Sequence, residues 1–369
     1  MADVFAYGTL CHAPLRAAVL GREVAGAPAR LAGHAVRWAE GEAFALIRPE
    51  AGAVAEGIVL RGLSADDVAR LDWYEGGFAR SRAALSLMDG AGTAEVYLPD
   101  PGRWTAGAPW SLADWIARHG AVVVATAPDV MRQMGLRPAA AVWQRYPQML
   151  VRGAARLRAA VPRPATLGFR PAADDVALLD WQEPYADFFA VESVTLRHRR
   201  FDGAMGDPIR RAVFVSADAV TVLPYDPARD AVMVIEQFRA APYVRGDANP
   251  WLIEAIAGRI DAFETAEDAA RREALEEAGI ALGALHPVAE YYPSPGAKTE
   301  YLWSYVGIAD LPAAAAGLGG VEGEGEDIRA HVLPFDAFMA LVDGGEAVNG
   351  PLVLTALWLA RHRDRLRAG

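Results

Sequence analysis

The stretch 271-RREALEEAGI-280 places the tightest condition on what this chain can fold into. Glu273, Glu276 and Glu277 fall within about one helical turn, on one face, directly ahead of Gly279. Like charges at that spacing repel, and acids at a helix C-terminus oppose the macrodipole. A fold that keeps them has to bring cations to them. The flanks define the element. Thr265, with Asp268 three residues later, reads as a capping pair, and Gly279 reads as a left-handed cap. The spacing therefore predicts a helix from Thr265 to about Ala278.

The run belongs to a longer pattern: Gly258, five residues, Glu264, seven residues, then Arg272-Glu273, Ala274, one residue, Glu276-Glu277, one residue, Gly279-Ile280. Cleaving a diphosphate requires neutralising charge on the transferring phosphoryl group and making a nucleophile from water. Magnesium or manganese does both, and such hard ions take carboxylate oxygens. The pattern matches the Nudix box, and this part of the chain resembles the Nudix hydrolases. The resemblance implies an α/β/α sandwich with a mixed sheet. It also implies a metal shell of Glu273, Glu276, Glu277 and the carbonyl of Ala257, with Gly258 allowing the close backbone approach. Glu264 and Arg272 then brace the loop against the helix, and Gly279 closes it.

From about Phe189 onward the chain is similar to the ADP-ribose diphosphatase branch of that family. The runs 223-LPYDPARD-230, 234-VIEQFR-239 and 249-NPWLIEAIAG-258 look like its strands before the box. Pro295 lies fifteen residues after Ile280, and 324-EGEDIRAHV-332 looks like its mobile loop. The resemblance implies hydrolysis of ADP-ribose, or a related nucleoside diphosphate sugar, to AMP and ribose 5-phosphate. It implies that Glu326, or else Glu324, positions or deprotonates the attacking water, with Glu322 and Asp327 nearby. It places Arg210 or Arg211, Arg239, Pro295 and Gly296 against the substrate, and makes the chain a homodimer whose subunits complete each other's pockets. Where the branch often carries an acid after the arginine pair, this chain has Ala212.

The N-terminal part has its own signature. 5-FAYGTL-10 and 71-LDWYEGGFAR-80 resemble the gamma-glutamylcyclotransferase-like (AIG2-like) family over roughly residues 1–120. The resemblance implies a small β-barrel with helices. The turn of Tyr7, Gly8, Thr9 and Leu10 offers backbone N–H groups to a substrate carboxylate, and Glu75 becomes the general acid/base of a cyclisation to 5-oxoproline. Phe78 stands where relatives commonly carry Tyr. Two readings stay open: a second enzyme activity, or a binding or dimerisation module in which Tyr7 and Glu75 satisfy one another. The fusion as a whole resembles bacterial proteins named for tellurite resistance.

At 369 residues the chain exceeds one ordinary core. The organisation expected is a cyclotransferase-like domain over 1–125, a proline-punctuated helical connector over 126–187, and the Nudix domain over 188–369, α/β and α+β in class. An echo, ADDVAxLDW at 65–73 and again at 173–181, reads as two similarly capped helices or as a decayed duplication. Trp251–Ile253 is expected as a short buried strand. A net charge of −11 argues against nucleic acid or a membrane surface as partner, leaving a small-molecule nucleoside diphosphate. The histidines form no zinc-type pairing. A lone cysteine, Cys11, and the absence of a basic-then-apolar leader fit a cytoplasmic protein.

Overall fold

The computed structural model describes residues 1–88, 90–163, 166–320 and 325–368. These fall into two compact units, 1–164 and 165–369. No helix among the described residues is long and apolar enough to cross a membrane.

The first unit runs β1 (Ala2–Ala6), α1 (Ala13–Leu20), β2 (Gly26–Ala39), β3 (Ala45–Leu63), α2 (Ala65–Gly76), β4 (Arg80–Ser86), β5 (Thr93–Pro99), β6 (Ala106–Pro109), α3 (Leu112–Trp115), α4 (Ala121–Arg132), α5 (Ala139–Gln144) and α6 (Tyr146–Ala159). Its strands form one six-stranded sheet in the order β4-β5-β1-β3-β2-β6, with β1 parallel to β5 and antiparallel to β3. Phe5, Tyr7, Leu31, Ile47, Val59 and Val96 meet in a single core cluster. Alternate residues of β1, β2, β3 and β5 thus face one interior, and the sheet curls around it as the barrel reading requires.

The helical connector expected over 126–187 is divided between the units. A π-helical turn (Ile116–Gly120) joins α3 to α4, and α4 buries Val123, Thr126, Ala127, Val130 and Met131. Facing it, α6 buries Met149, Leu150, Val151 and Ala154. Amphipathic helices of this kind must cover their apolar stripes, so this stretch joins the first unit's core. The remainder, from Val176, is a strand of the second unit.

The echo shows most directly that local sequence does not decide structure. Its first copy is the helix α2, started by a capping box between Ser64 and Asp67. Asp67 accepts from Ser64 N at 2.9 Å and from Arg22 Nε at 3.0 Å, which holds its carboxyl well below the ordinary range, chiefly through Arg22. The second copy is extended, so the expectation of two helices fails. Asp175 also accepts from three residues back, at Ala172 N, but Ala172 has no hydroxyl to return the cap, and Arg199 ion-pairs with Asp175 from the neighbouring strand. Pro184 then bars helix growth downstream. Replacing Asp67 with alanine should lower stability by about 1–2 kcal/mol, discounted for the half-exposed Arg22, as a drop in melting temperature. Because the folded carboxyl titrates below the unfolded one, the wild-type advantage holds above about pH 4 and shrinks as pH falls further.

The second unit contains β7 (Val176–Ala186), β8 (Ala190–His198), β9 (Ile209–Val215), β10 (Ala219–Asp226), β11 (Ala231–Phe238), α7 (Ala240–Arg245), β12 (Trp251–Glu254), β13 (Ile256–Arg259), α8 (Ala266–Ala278), β14 (Leu285–Tyr291), β15 (Leu302–Ile308), β16 (Gly317–Gly319), β17 (Ile328–Pro334), α9 (Phe335–Asp343) and α10 (Gly350–Arg367). β7-β8-β9 is a separate three-stranded antiparallel sheet. The main sheet runs β14-β15-β10-β11-β17-β16, with β12 paired to β11 and β13 to β10; β10 and β15 are parallel. On β11, Met233 and Ile235 pack towards Ala269, Ala270 and Ala274 of α8. Val232 and Val234 face Leu352, Ala356 and Leu359 of α10 on the other side. The sheet is covered on both faces, which is why β10 and β11 read as continuous apolar runs. β12 inverts its expectation: Trp251 is 50% exposed at the strand's outer end, and the buried residue is Glu254.

Candidate active site at the carboxylate end of a helix

Thr265 starts α8 by accepting from Asp268 N at 3.1 Å, and its hydroxyl donates to Asp268 Oδ2 at 2.6 Å. Gly279, at φ 65° and ψ 22°, stops it in the left-handed conformation that glycine adopts without strain. The alanines on the buried face let the helix sit close to the sheet. Its acids therefore come down on β13. Glu277 Oε2 accepts from Ala257 N at 3.1 Å. In an extended strand the N–H and C=O of one residue point to the same side, so the Ala257 carbonyl lies on Glu277's side as well. A Cβ added to Gly258 would meet Glu273 Oε1 at 1.9 Å, so that carboxylate occupies the space a side chain would fill.

Arg272 is the cation the opening stretch demanded. It grips Glu264 with Nε and Nη2, both at 3.0 Å, and Nη2 also donates to Arg259 O at 3.0 Å. Nη1 donates to Glu273 at 2.7 Å and to Glu276 at 2.8 Å. These contacts hold its guanidinium firmly charged, with Glu264 contributing most. Arg272 and Glu264 thus brace loop to helix.

Glu277 is left outside this arrangement. It is 2% exposed. Burial pushes its carboxyl up to about 8; Glu273 and Glu326 add to the rise, while the Ala257 N–H and Arg239 oppose it. Glu273 is raised too, mainly by burial, against the pull of Arg272. Among the described residues no three such side chains converge ready to hold an ion, and Arg272 holds two of the acids, Glu273 and Glu276. The donors are nevertheless all hard oxygens, one of them on the buried Glu277 carboxyl that Arg272 does not reach, and they fit a magnesium-type ion. Glu326 lies on the exposed segment before β17, near enough for its charge to act on Glu273, Glu277 and Arg239. Glu322 and Glu324 lie outside the described residues.

Arg239 joins the cluster through an unexpected partner. Its Nε and Nη2 donate to Glu254 Oε2 at 2.9 and 2.5 Å, and its charge is also stabilised by Glu277 and Glu326. Glu254 was readable as the one acid inside the apolar run WLIEAIAG, but nothing local pairs it with Arg239. Arg210 and Arg211 are not brought into the cluster. Both lie on β9, where Arg210 Nε donates to Ser193 Oγ at 2.8 Å and Arg211 to the Arg210 carbonyl at 2.9 Å. Pro295 and Gly296 form an exposed turn tied to that same strand, through Phe214 N donating to Ala297 O at 2.8 Å. Gly319 of β16 is a site neighbour with no sequence signal: a Cβ there would lie 2.0 Å from the Glu277 carbonyl oxygen.

The first unit gathers its motif residues around a small cleft lined by Tyr7, Gly8, Thr9, Leu10, Glu75, Arg80 and Tyr97. Tyr7 and Glu75 do not satisfy one another. Tyr7 Oη donates to Tyr97 O at 2.7 Å, and Glu75 takes Arg80 Nη1 at 2.9 Å in a buried pair. Arg80 also donates to Ala45 O and lies among the rings of Tyr7, Phe44 and Phe78. Burial raises the Glu75 carboxyl while Arg80 opposes the rise. Phe78 is buried between Phe44 and Trp143, with centroids at 5.1 and 4.2 Å, in an aromatic cluster that also holds Tyr74 and Tyr146. Cys11 donates to Ala6 O, and burial pushes its thiol up to about 11, so it is unreactive.

An α/β/α sandwich that gathers oxygen donors at one helix end defines a cation-assisted hydrolase class. The NUDIX domain family matches residues 215–353, and the family "Gamma-glutamyl cyclotransferase, AIG2-like" matches residues 4–117. The ADP-ribose pyrophosphatase of Escherichia coli (strain K12) is 38% identical over 194 residues, 53% of this chain and 92% of the relative. That of Haemophilus influenzae (strain ATCC 51907 / DSM 11121 / KW20 / Rd) is 34% identical over 195 residues, 52% and 89% respectively. The GDP-mannose pyrophosphatase of Escherichia coli O1:K1 / APEC is 35% identical over 176 residues, 47% and 88%. The chain belongs to the Nudix hydrolase family, with an AIG2-like domain as its first unit.

Proposed function

We propose that this chain hydrolyses the diphosphate of ADP-ribose to AMP and ribose 5-phosphate with magnesium, or manganese, as cofactor. The observation that carries this reading is the convergence of Ala257, Glu273 and Glu277 beside Arg239 and Glu326. A bound ion would neutralise the diphosphate and acidify water. Glu273, Glu276, Glu277 and the Ala257 carbonyl would hold it. Arg239, fixed by Glu254 through Nε and Nη2, keeps Nη1 for a phosphate oxygen. Glu326, or Glu324 on the same segment, takes the proton of the attacking water. The P–O–P bridge breaks, and one phosphoryl group keeps the water oxygen.

Only this activity is proposed. In the first unit the carboxyl that a cyclisation would use for proton transfer is tied up by Arg80. The chain acts on its small-molecule substrate as a homodimer in a reducing, cytoplasmic setting. The β7–β9 sheet leaves Val176 and Leu178 exposed on one face and Tyr185 and Phe214 on the other, apolar surface that a second copy would cover. Such a copy would bring the partner's Arg210 and the partner's Arg211 to the pocket.

A substrate panel with magnesium, read as nucleoside monophosphate release, tests the activity. ADP-ribose should be preferred at least about tenfold over GDP-mannose and nucleoside triphosphates, a discrimination worth roughly one hydrogen-bonded contact. Equal rates across the panel would overturn the substrate assignment.

A further inference from the structure

Glu254 is an anomaly on β12: a carboxylate 4% exposed, with both oxygens engaged. One accepts Arg239; the other, Oε1, accepts Asn349 Nδ2 at 3.1 Å from 95 residues further along the chain. Asn349 has a second task. It is the N-cap of α10, its Oδ1 accepting from Leu352 N at 3.0 Å. The two bonds fix the amide's orientation, since a backbone N–H requires an acceptor and a carboxylate requires a donor.

The geometry points to Asn349 as a positioning residue for the substrate-binding arginine. By filling Oε1, it prevents the buried Glu254 carboxylate from rotating. Oε2 is then the oxygen offered to Arg239, and the guanidinium is held through Nε and Nη2, close enough for its charge to act on Glu277 and Glu326. Preorganisation of this kind cuts the ordering cost of binding without touching the ligand. A cap alone would ask only for an acceptor, a role Ser or Asp fills equally well. The Nδ2 donor is what distinguishes Asn here.

This inference rests on the reading of Arg239 as a phosphate contact, and the test separates the two. Asn349→Ser and Asn349→Asp both keep the cap, so far-UV circular dichroism should match wild type, while the melting temperature should fall by a few degrees in Asn349→Ser and further in Asn349→Asp. Both lose the donor to Glu254. KM for ADP-ribose should rise about fivefold in Asn349→Ser, the size of one lost positioning hydrogen bond, and further in Asn349→Asp, where two carboxylates face each other. ADP-ribose affinity by calorimetry in excess EDTA should weaken in parallel, and kcat should stay within about twofold. With Arg239→Ala in place, adding Asn349→Ser should change KM no further, because the residue acts through the arginine. A raised KM in Arg239→Ala with an unchanged KM in both Asn349 variants would overturn the relay alone. An unchanged KM in Arg239→Ala would overturn the phosphate assignment and the relay with it.

Discussion

Replacing Glu277 with glutamine should abolish magnesium-dependent hydrolysis, a loss of about 10³-fold or more in kcat, while far-UV circular dichroism stays unchanged. Glu277 is nearly isosteric with the amide, and the Ala257 N–H donates to an amide oxygen as readily as to a carboxylate oxygen. What disappears is a carboxyl that Arg272 does not reach and that a bound cation would draw into its charged form. The thermal readout is equally specific. Magnesium at a hundredfold excess over its Kd should stabilise the wild type by about 3 kcal/mol through mass action on the folded state. The variant should show little of that rise, and without metal it should melt no lower than wild type because burial already keeps the Glu277 carboxyl largely uncharged. Turnover near the wild-type rate would remove Glu277 from the metal set.

Gly258→Ala should cost about 10²-fold in activity with the fold retained. The new methyl group would sit 1.9 Å from Glu273 Oε1 and 2.0 Å from its Cδ. The backbone is not what must give way. The end of a flexible side chain can swing off β13, so melting should change little. The carboxylate that swings is one of the oxygen donors, and it would leave the Ala257 carbonyl and Glu277 without their partner. Activity within a few-fold of wild type would show that Glu273 need not lie against this backbone.

The box was legible because its logic is local. Thr265, Gly279 and the acids between them are constrained by helix geometry and charge, which a single segment expresses in full. The bracing role of Arg272, by contrast, came from the resemblance and not from spacing. The rest depends on contacts that no segment contains. Ala65–Trp73 and Ala173–Trp181 share all but one letter, yet one is helix and the other strand, because Ser64 caps the first and Arg199 draws the second into a sheet. Glu75 was visible in its motif, but its partner proved to be Arg80, not Tyr7, since curling the sheet turns Tyr7 towards the Tyr97 carbonyl. Arg210 and Arg211 were grouped with the substrate by resemblance and lie instead on the separate three-stranded sheet. Glu254 and Asn349 meet only because β12 and the start of α10 border the same end of the main sheet.

The fork of Arg272 sets a threshold for the cation. A site of bare repelling acids would scavenge whatever divalent ion came first. Here Glu273 and Glu276 already hold an internal counter-charge, so an incoming ion has to compete with the guanidinium, and its apparent affinity falls by the fraction of sites in which Arg272 has let go. The same arginine keeps the helix end neutral enough to fold before any ion arrives.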